Sequence, residues 1–587
     1  VSPRRTAVRA LALLAVAVPA LAGPLAPVGS ASSGQESWFQ DDDQLIFNTP
    51  AGADRVMSRL AGLGVDRVRV SVFWATVAPE SDSRTRPVFD ASDPAAYPAG
   101  AWDRYDQIVQ LARRYGMGVE FNVTSPAPLW ATGRSPRADI ANLWQPSASE
   151  LTQFVRALGR RYSGAYAPPP VGVPPPPAGP GTTPPPPPPP PCPPVDKIIN
   201  RCPPAPARAT TAVRRPLAAV AAGAGGPLPR VDHWSIWNEP DQPGWLDPQW
   251  TPAGGHRWVE SSPRLYRGLL DAAYGALTAT GHASDSILIG ETAPNGLNVP
   301  GPTRAIKALH FLRQLYCLDD RYRPLRGAAA SERGCPPSRA AGTRFATAHP
   351  ALFAASGYAH HPYQLTLPPS RAPANPDFAT ISTLPRLTRA LDRVLAAYGR
   401  QRRGGMPIYL SEFGYNTRPP NSAGVTPAQQ AAFIDQAQYI AYADPRVRAL
   451  SQFLLVDDAP RPGRNGVRAG YGATFQTGLE FLGGRPKPAL AAYELPLFLP
   501  APAVRRGAAL RVWGQVRPVA GGSARVAIQF RRSARGAFRT LVVVAADRGR
   551  GYLDARVHVP GSGRLRLAWT AAGGQVAFSR TALVRVH

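Results

Sequence analysis

Two carboxylates in this chain sit where paired carboxylates do chemistry. Glu239 lies in WSIWNEPDQPGWL (234–246), between Asn238 and Pro240 and flanked by tryptophans. Glu412 lies in YLSEFGY (409–415). Hydrolysis of a glycosidic bond needs two carboxyl groups flanking the anomeric carbon, one donating a proton to the leaving oxygen. In the retaining form, the other attacks and forms a glycosyl-enzyme that water releases. Asn238 is placed to bond a sugar 2-hydroxyl, and aromatic rings such as Trp130, Trp237 and Trp245 can stack on sugar faces or pack a core. The plain alternatives are a surface glutamate at 239 and a strand-end glutamate paired with an arginine at 412.

Such a pair needs a scaffold that brings residues far apart in sequence to one place. From about Gln44 to Tyr493, short apolar runs alternate with helical patterns. VDRVRVSVFW (65–74), MGVEFNVT (117–124), VDHWSIWNEP (231–240), SILIGETAPN (286–295), SGYAHHPY (356–363), MPIYLSEFGYN (406–416) and VRALSQFLLVDD (447–458) read as strands. WDRYDQIVQLARRYG (102–116), ELTQFVRALGRRY (150–162) and LYRGLLDAAYGAL (265–277) carry apolar residues at helical spacing. With a first strand near Leu45, this predicts eight strand–helix units, an α/β class and a (β/α)8 TIM barrel. A doubly wound open sheet is the alternative. In a barrel the site lies at the carboxyl ends of the strands. Glu239 would then end strand four and Glu412 strand seven. Glu291, ending strand five, would bind substrate or form a structural ion pair, and Asp457 and Asp458, after strand eight, are read the same way.

IWNEP and LSEFGY resemble the strand-four and strand-seven motifs of clan A glycoside hydrolases, an acid/base Asn-Glu and a nucleophile Glu on a (β/α)8 barrel. RVSVFW (69–74) resembles the clan's strand-two pattern, which implies that Arg69 supports the nucleophile and that Trp74 follows it near the site. HPY (361–363) resembles the strand-six His-x-Tyr, placing His361 and Tyr363 at the site. GLEFLGGRPKPALAAY (478–493) is similar to the barrel's closing segment. The resemblance runs over about 450 residues, with families 5 and 39 nearest. It implies a retaining hydrolase of β-linked poly- or oligosaccharide, Glu239 holding a proton while Glu412 stays ionised, and no cofactor or metal. SQFLLVDD departs from the pattern, offering Phe453 where family 5 often has a tryptophan platform. A second class fits the same barrel: a catalytically silent glycan-binding or cell-envelope protein.

The rest of the sequence frames this site. Residues 1–33 read as a signal peptide: Arg4, Arg5 and Arg9 precede an apolar stretch, Ala10 to Ala22, too short to span a bilayer well. The Arg pair lacks the usual twin-arginine flanks. This predicts a secreted protein, associated with the cell envelope or free. Four cysteines suit that compartment, Cys192 with Cys202 and Cys317 with Cys335 being the simplest pairing. The barrel is placed at 38–499, interrupted at 167–207 by a stretch where proline, including an unbroken run at 184–191, forbids helix and sheet. It lies between the third helix and the fourth strand, away from the active face. After it, residues 500–587 alternate with period two between Gly-rich turns, which predicts an antiparallel Ig-like or fibronectin-like β-sandwich. Of the net charge of +28, residues 501–587 supply 16 Arg and no Lys against 2 Asp. No nucleic-acid-binding motif accompanies that charge, so nucleic acid is not an expected partner. A solvated surface or electrostatic association with an anionic envelope is expected instead, on a monomer.

Overall fold

The computed structural model describes residues 32–169 and 226–587, except 298, 343, 461–469, 472–473, 520–523 and 572–573. The signal segment, most of the proline-rich insertion, Cys192 and Cys202 lie outside the described residues.

Eight parallel strands close into a barrel in chain order. They are β1 (Glu36–Gln40), β2 (Arg67–Phe73), β3 (Gly118–Thr124), β4 (His233–Ile236), β5 (Ser286–Thr292), β6 (Gly357–His360), β7 (Ile408–Leu410) and β8 (Val447–Phe453). β1 pairs with both β2 and β8, which completes the ring. β2 is buried along its whole length, because barrel strands face side chains inward and helices outward. That two-sided burial is why β2 reads as a β-branched run rather than an alternation.

One expected element is displaced. The first strand is not near Leu45. Leu45 ends a short helix, Asp42–Leu45, capped by the Asp41 side chain, and the strand precedes it at Glu36–Gln40. Aspartates at 41–43 disfavour a strand and suit a helix start.

The principal helices following the strands are α1 (Pro50–Gly62), α2 (Asp103–Arg114), α3 (Ala148–Arg161), α4 (Ser262–Leu277), α5 (Ala308–Leu315), α6 (Leu384–Ala396), α7 (Pro427–Ala443) and α8 (Pro488–Glu494). Their starts are written in the sequence. Thr49 caps α1 with Pro50 in the first turn, Ser147 caps α3, and Thr426 forms a capping box with Gln429 on α7. Past α3, the chain on either side of the insertion is tied together by Leu228 N–H donating to Tyr166 O (2.9 Å). This stem precedes β4 and so lies at the end of the barrel away from Glu239.

A disulfide joins Cys317 to Cys335, 18 residues apart, beside α5. Closing a loop of that length restricts the unfolded chain by roughly 3 kcal/mol. Replacing both cysteines with serine is expected to lower the stability of the oxidised protein by about that amount, measured as a shift in the denaturation midpoint.

The C-terminal region forms two packed sheets. One holds Leu497–Phe498, Ala509–Gln515 and Tyr552–His558; the other holds Ala503–Val504, Ala582–Val586, Gly563–Thr570, Arg525–Arg531 and Arg539–Ala545, with Val576–Phe578 alongside. Leu510, Val512, Ile528, Leu565, Leu567 and Val584 fill the space between them. The pairings are antiparallel except for the short contact of Ala503–Val504 with Ala582–Val586. The first strand of this region, Leu497–Phe498, starts ahead of residue 500, and Leu495 already belongs to its core.

The smaller sheet packs on the barrel. Trp513 and Tyr552 meet Tyr439 and Tyr442 of α7, Arg517 donates to Gln438 Oε1 (2.7 Å), and Arg580 pairs with the buried Asp435. α7 is thus covered on two sides. Apolar and small residues therefore run round it instead of forming one stripe.

Candidate active site

The two carboxylates meet at the carboxyl end of the barrel. β4 ends at Ile236, and Glu239 follows after Trp237 and Asn238; β7 ends at Leu410, and Glu412 follows Ser411. One carboxylate oxygen of Glu239, one of Glu412 and a His361 ring nitrogen all lie within 4.8 Å of one another. The backbone is bent to achieve this. Trp237, Glu239 and Glu291 all take positive φ (64°, 36° and 48°), a conformation that costs a non-glycine residue about 1–2 kcal/mol. Glu239 N–H donates to Glu291 O (2.9 Å), tying the ends of β4 and β5 together. Strain concentrated at strand ends beside a cleft is a mark of a functional site.

Beneath the pair lies a fully buried charge network centred on Arg69 of β2. Arg69 donates to Glu412 Oε1 (2.9 Å), Asn238 Oδ1 (2.8 Å), Glu291 Oε2 (3.0 Å) and Gln40 Oε1. His361, just past β6, binds Glu239 Oε1 through Nδ1 (2.9 Å) and Glu291 Oε2 through Nε2 (2.7 Å). Tyr363 O–H donates to Glu412 Oε2 (3.0 Å), and Ser411 O–H donates to Glu291 Oε2 (2.6 Å). Neighbouring His360 is a different case. It bridges Thr292 Oγ1 (2.9 Å) and Ala379 O (2.7 Å), and burial pulls it down to about 4, so it is a neutral structural imidazole.

Protonation follows from this arrangement. Burial alone would neutralise His361, but the Glu412, Glu239 and Glu291 carboxylates outweigh it and push the imidazole up to about 10. Burial likewise opposes ionisation of Glu291, and Arg69 and His361 overcome it, holding Glu291 well below the usual carboxylate range. Glu120, 3.6 Å from Arg69, is pushed up to about 8, chiefly by burial, and is neutral near pH 7. Glu412 is lifted above its ordinary value by burial, with His361 and Arg69 pulling it back and Glu239 and Glu291 adding repulsion. Three carboxyls, Glu291, Glu239 and Glu412, thus face the two cations Arg69 and His361. A partly hydrated carboxyl and one clamped by two cations is the division of labour that an acid and a nucleophile require.

The same three side chains could be taken for a metal site. Both His361 nitrogens are bonded to carboxylates, however, and a protonated imidazole has no lone pair to offer a cation.

The cleft above the pair has a volume of about 530 Å³ and is lined by Asn238, Glu239, Trp245, Tyr363, Glu412 and Phe453, among others. Trp245 is the tryptophan that reaches it. Trp237 is fully buried, and its indole N–H donates to Trp245 O (3.0 Å), so it supports the loop from below. The expectation that Trp74 and Trp130 lie at the site is not met. Trp74 is buried against Phe154 (5.6 Å between ring centres) and Trp130 (6.2 Å), and Trp130 donates to Pro79 O. Trp74 starts the helical turn after β2, which rotates it outward into the helix layer. Of the two readings of Glu291, substrate ligand or structural ion pair, the second fits: it is wholly buried beneath the cleft floor and pairs with Arg69 and His361. No tryptophan follows β8; Phe453 stands there edge-on to Phe475 (5.2 Å) and joins Tyr363 in an aromatic wall. Asp457 pairs with Lys487 Nζ (2.6 Å) and Asp458 accepts from Phe475 N (2.9 Å), so both shape the loop after β8.

Several polar lining residues escape sequence reading: Gln40, Asp42, Gln242, Asn295 and Asn416. Gln40 and Asp42 were legible in principle, since they flank the end of β1. Placing that strand near Leu45 pushes them to its wrong end.

No family model matches the chain, and no curated protein matches it. Among solved structures it resembles an exo-beta-1,4-mannosidase from Opitutaceae bacterium strain TAV5 at 12% identity over 78% of this chain and 58% of that one, with a TM-score of 0.37. It also resembles a GH5_18 protein from Streptomyces cattleya in complex with GlcNAc (13%; 79% of each chain; TM-score 0.39) and a beta-glucosidase from Exiguobacterium marinum (11%; 78% and 97%; TM-score 0.39). The chain spans less than two thirds of the first of these. Likenesses this slight carry no weight for activity, which has to be argued from the site.

Proposed function

We propose that this protein is a retaining glycoside hydrolase acting on β-linked oligo- or polysaccharide, with Glu239 as acid/base and Glu412 as nucleophile. The observation that carries this reading is the approach of the two carboxylates to within 4.8 Å at the ends of strands four and seven. Retaining enzymes hold their carboxyls about 5–5.5 Å apart, whereas inverting enzymes leave about 6.5–9.5 Å for a water.

In the first step the Glu412 carboxylate attacks the anomeric carbon. The glycosidic C–O bond breaks, and the leaving oxygen takes the Glu239 proton. In the second step Glu239 removes a proton from water, the water oxygen attacks the anomeric carbon, and Glu412 departs. Arg69 and Tyr363 hold the attacking carboxylate on line. Proton NMR of the first-formed product from an aryl β-glycoside tests this: retained anomeric configuration supports it, and inversion overturns it. A panel of aryl glycosides and polysaccharides that bind without turnover would instead support the silent glycan-binding reading.

The Asn238 amide has a defined orientation. Its oxygen accepts from Arg69, which leaves the NH2 group for the cleft and a sugar 2-hydroxyl. Asn238→Ala is therefore expected to lower kcat/KM about 50-fold, close to the loss of one transition-state hydrogen bond, and a 2-deoxy substrate should erase the difference.

Among the described residues the cleft lining includes Asp42, Glu239 and Glu412 and no arginine or lysine. This favours neutral over anionic sugars at the reacting position. Export to the cell exterior belongs to the same proposal. Among the described residues no helix is long and apolar enough to cross a membrane.

A further inference from the structure

The larger C-terminal sheet turns its outer face away from the barrel, because the smaller sheet provides the contact with α7. On that outer face the alternation of Arg525–Arg531 presents Arg525, Ala527, Gln529 and Arg531, and the neighbouring strand presents Arg564 and Arg566. Cross-strand pairing sets Arg531 opposite Arg564 and Gln529 opposite Arg566, and Leu583 lies beside Arg564 with Arg585 two residues on. The backbone positions that carry these arginines thus stand about 7 Å apart along a strand and about 5 Å apart between strands.

The only acids in 501–587 are Asp547 and Asp554. Asp547 caps its own turn, accepting from the backbone N–H of Gly549 and Arg550, and Asp554 pairs with Arg511 on the opposite sheet. Among the described residues none of Arg525, Arg531, Arg564, Arg566 and Arg585 makes an ion pair. Arg566 is nevertheless held in place. Its guanidinium lies between the rings of Phe538 (4.1 Å) and Phe578 (3.8 Å), and its Nε donates to Gln529 (2.9 Å). The Arg531 guanidinium lies over the same Phe538 ring, 4.6 Å from its centre.

We infer that this face binds a carboxylated polysaccharide. Unpaired guanidiniums in rows, with Arg566 fixed among them, suit repeated carboxylates, which they can grip with two parallel hydrogen bonds. Exposed Val543, Val576 and Leu583 between them offer apolar surface to the C–H faces of sugar rings. A single-stranded nucleic acid would want free aromatic faces, and here Phe538 and Phe578 are engaged by Arg566. A membrane would want apolar groups on a projecting tip, and here they are dispersed over a flat sheet. The inference is independent of the catalytic reading, since the face lies on the far sheet of another unit.

The test uses the full chain and polygalacturonate as probe, in affinity electrophoresis at about 50 mM salt. Binding is expected, with Arg564→Glu/Arg566→Glu weakening it at least about tenfold and Phe578→Ala about threefold. The charge-matched pair Arg400→Glu/Arg403→Glu, on the exposed barrel surface, should change it less than about twofold. Equal weakening by both double variants would reduce the effect to overall charge and overturn the site. Absence of binding would overturn it too, as would equal affinity for duplex DNA or for vesicles of phosphatidylglycerol.

Discussion

Glu412→Ala is expected to lower kcat/KM by at least about 10³-fold, equivalent to some 4 kcal/mol of lost transition-state stabilisation. The loss should fall on kcat, because the carboxylate bonds to the anomeric carbon only as reaction proceeds. Removing it leaves a space beside Arg69 and Tyr363, both of which now bond to its oxygens. Azide, a small anion, can occupy that space and attack from the same side. Activity on an aryl glycoside should then partly return, and the product should be the glycosyl azide of inverted configuration. Glu239→Ala should differ. Its first step survives on substrates whose leaving group needs no proton, and azide then gives a product of retained configuration. If Glu412→Ala keeps wild-type activity, or if azide rescues the Glu239 variant with inversion, the assignment of roles fails.

The barrel and its two glutamates were legible for a physical reason. Seven of the eight strands are short, apolar and separated by long helices, so each stands out alone, and chain order fixes barrel order. β1 was misplaced because it is brief and followed by Asp41–Asp43, and its polar cleft residues were lost with it. The tryptophans were over-read. A run such as WSIWNEPDQPGWL carries no mark of which ring faces sugar, since Trp234 and Trp237 fill the core while Trp245, beyond the bend, reaches the cleft. The resemblance places Trp74 near the site, five residues after Arg69, yet the helical turn that it starts carries it away. Glu291 was noticed as a strand end, but its burial depends on Arg69, His361 and Ser411 arriving from three other strands. No local pattern encodes such a meeting.

That burial turns the ion-pair reading of Glu291 into a link to both catalytic carboxyls, and it carries the strongest remaining prediction. Its carboxylate is the shared counter-ion of Arg69 and His361, through which it acts on Glu412 and Glu239. Glu291→Gln keeps the shape and removes the charge. The His361 imidazole, now pushed up to about 10, should then titrate at lower pH, and kcat/KM should fall about 100-fold as Arg69 and His361 lose the anion that positions them against Glu412 and Glu239. The sign for stability is fixed as well. A histidine raised from its ordinary value of 6.5 to about 10 stabilises the fold fully below the lower value and loses that contribution as pH rises through the higher one. The variant should therefore lose its alkaline stability earlier than the parent, and the alkaline limb of its pH–rate profile should move to lower pH. Taking away one partner of a buried ion network can cost about 3–5 kcal/mol, so Ser411→Ala, which deletes a single hydrogen bond to Glu291, serves as a milder companion. Glu291→Gln should lower the His361 titration, followed by NMR of its ring protons, whereas Ser411→Ala, which leaves Glu291 ionised and takes away a competing donor, should hold it or raise it slightly. Lower activity of Glu291→Gln with the His361 titration and the alkaline limb unmoved would show that Glu291 only braces the barrel, and its link to the catalytic pair would be lost.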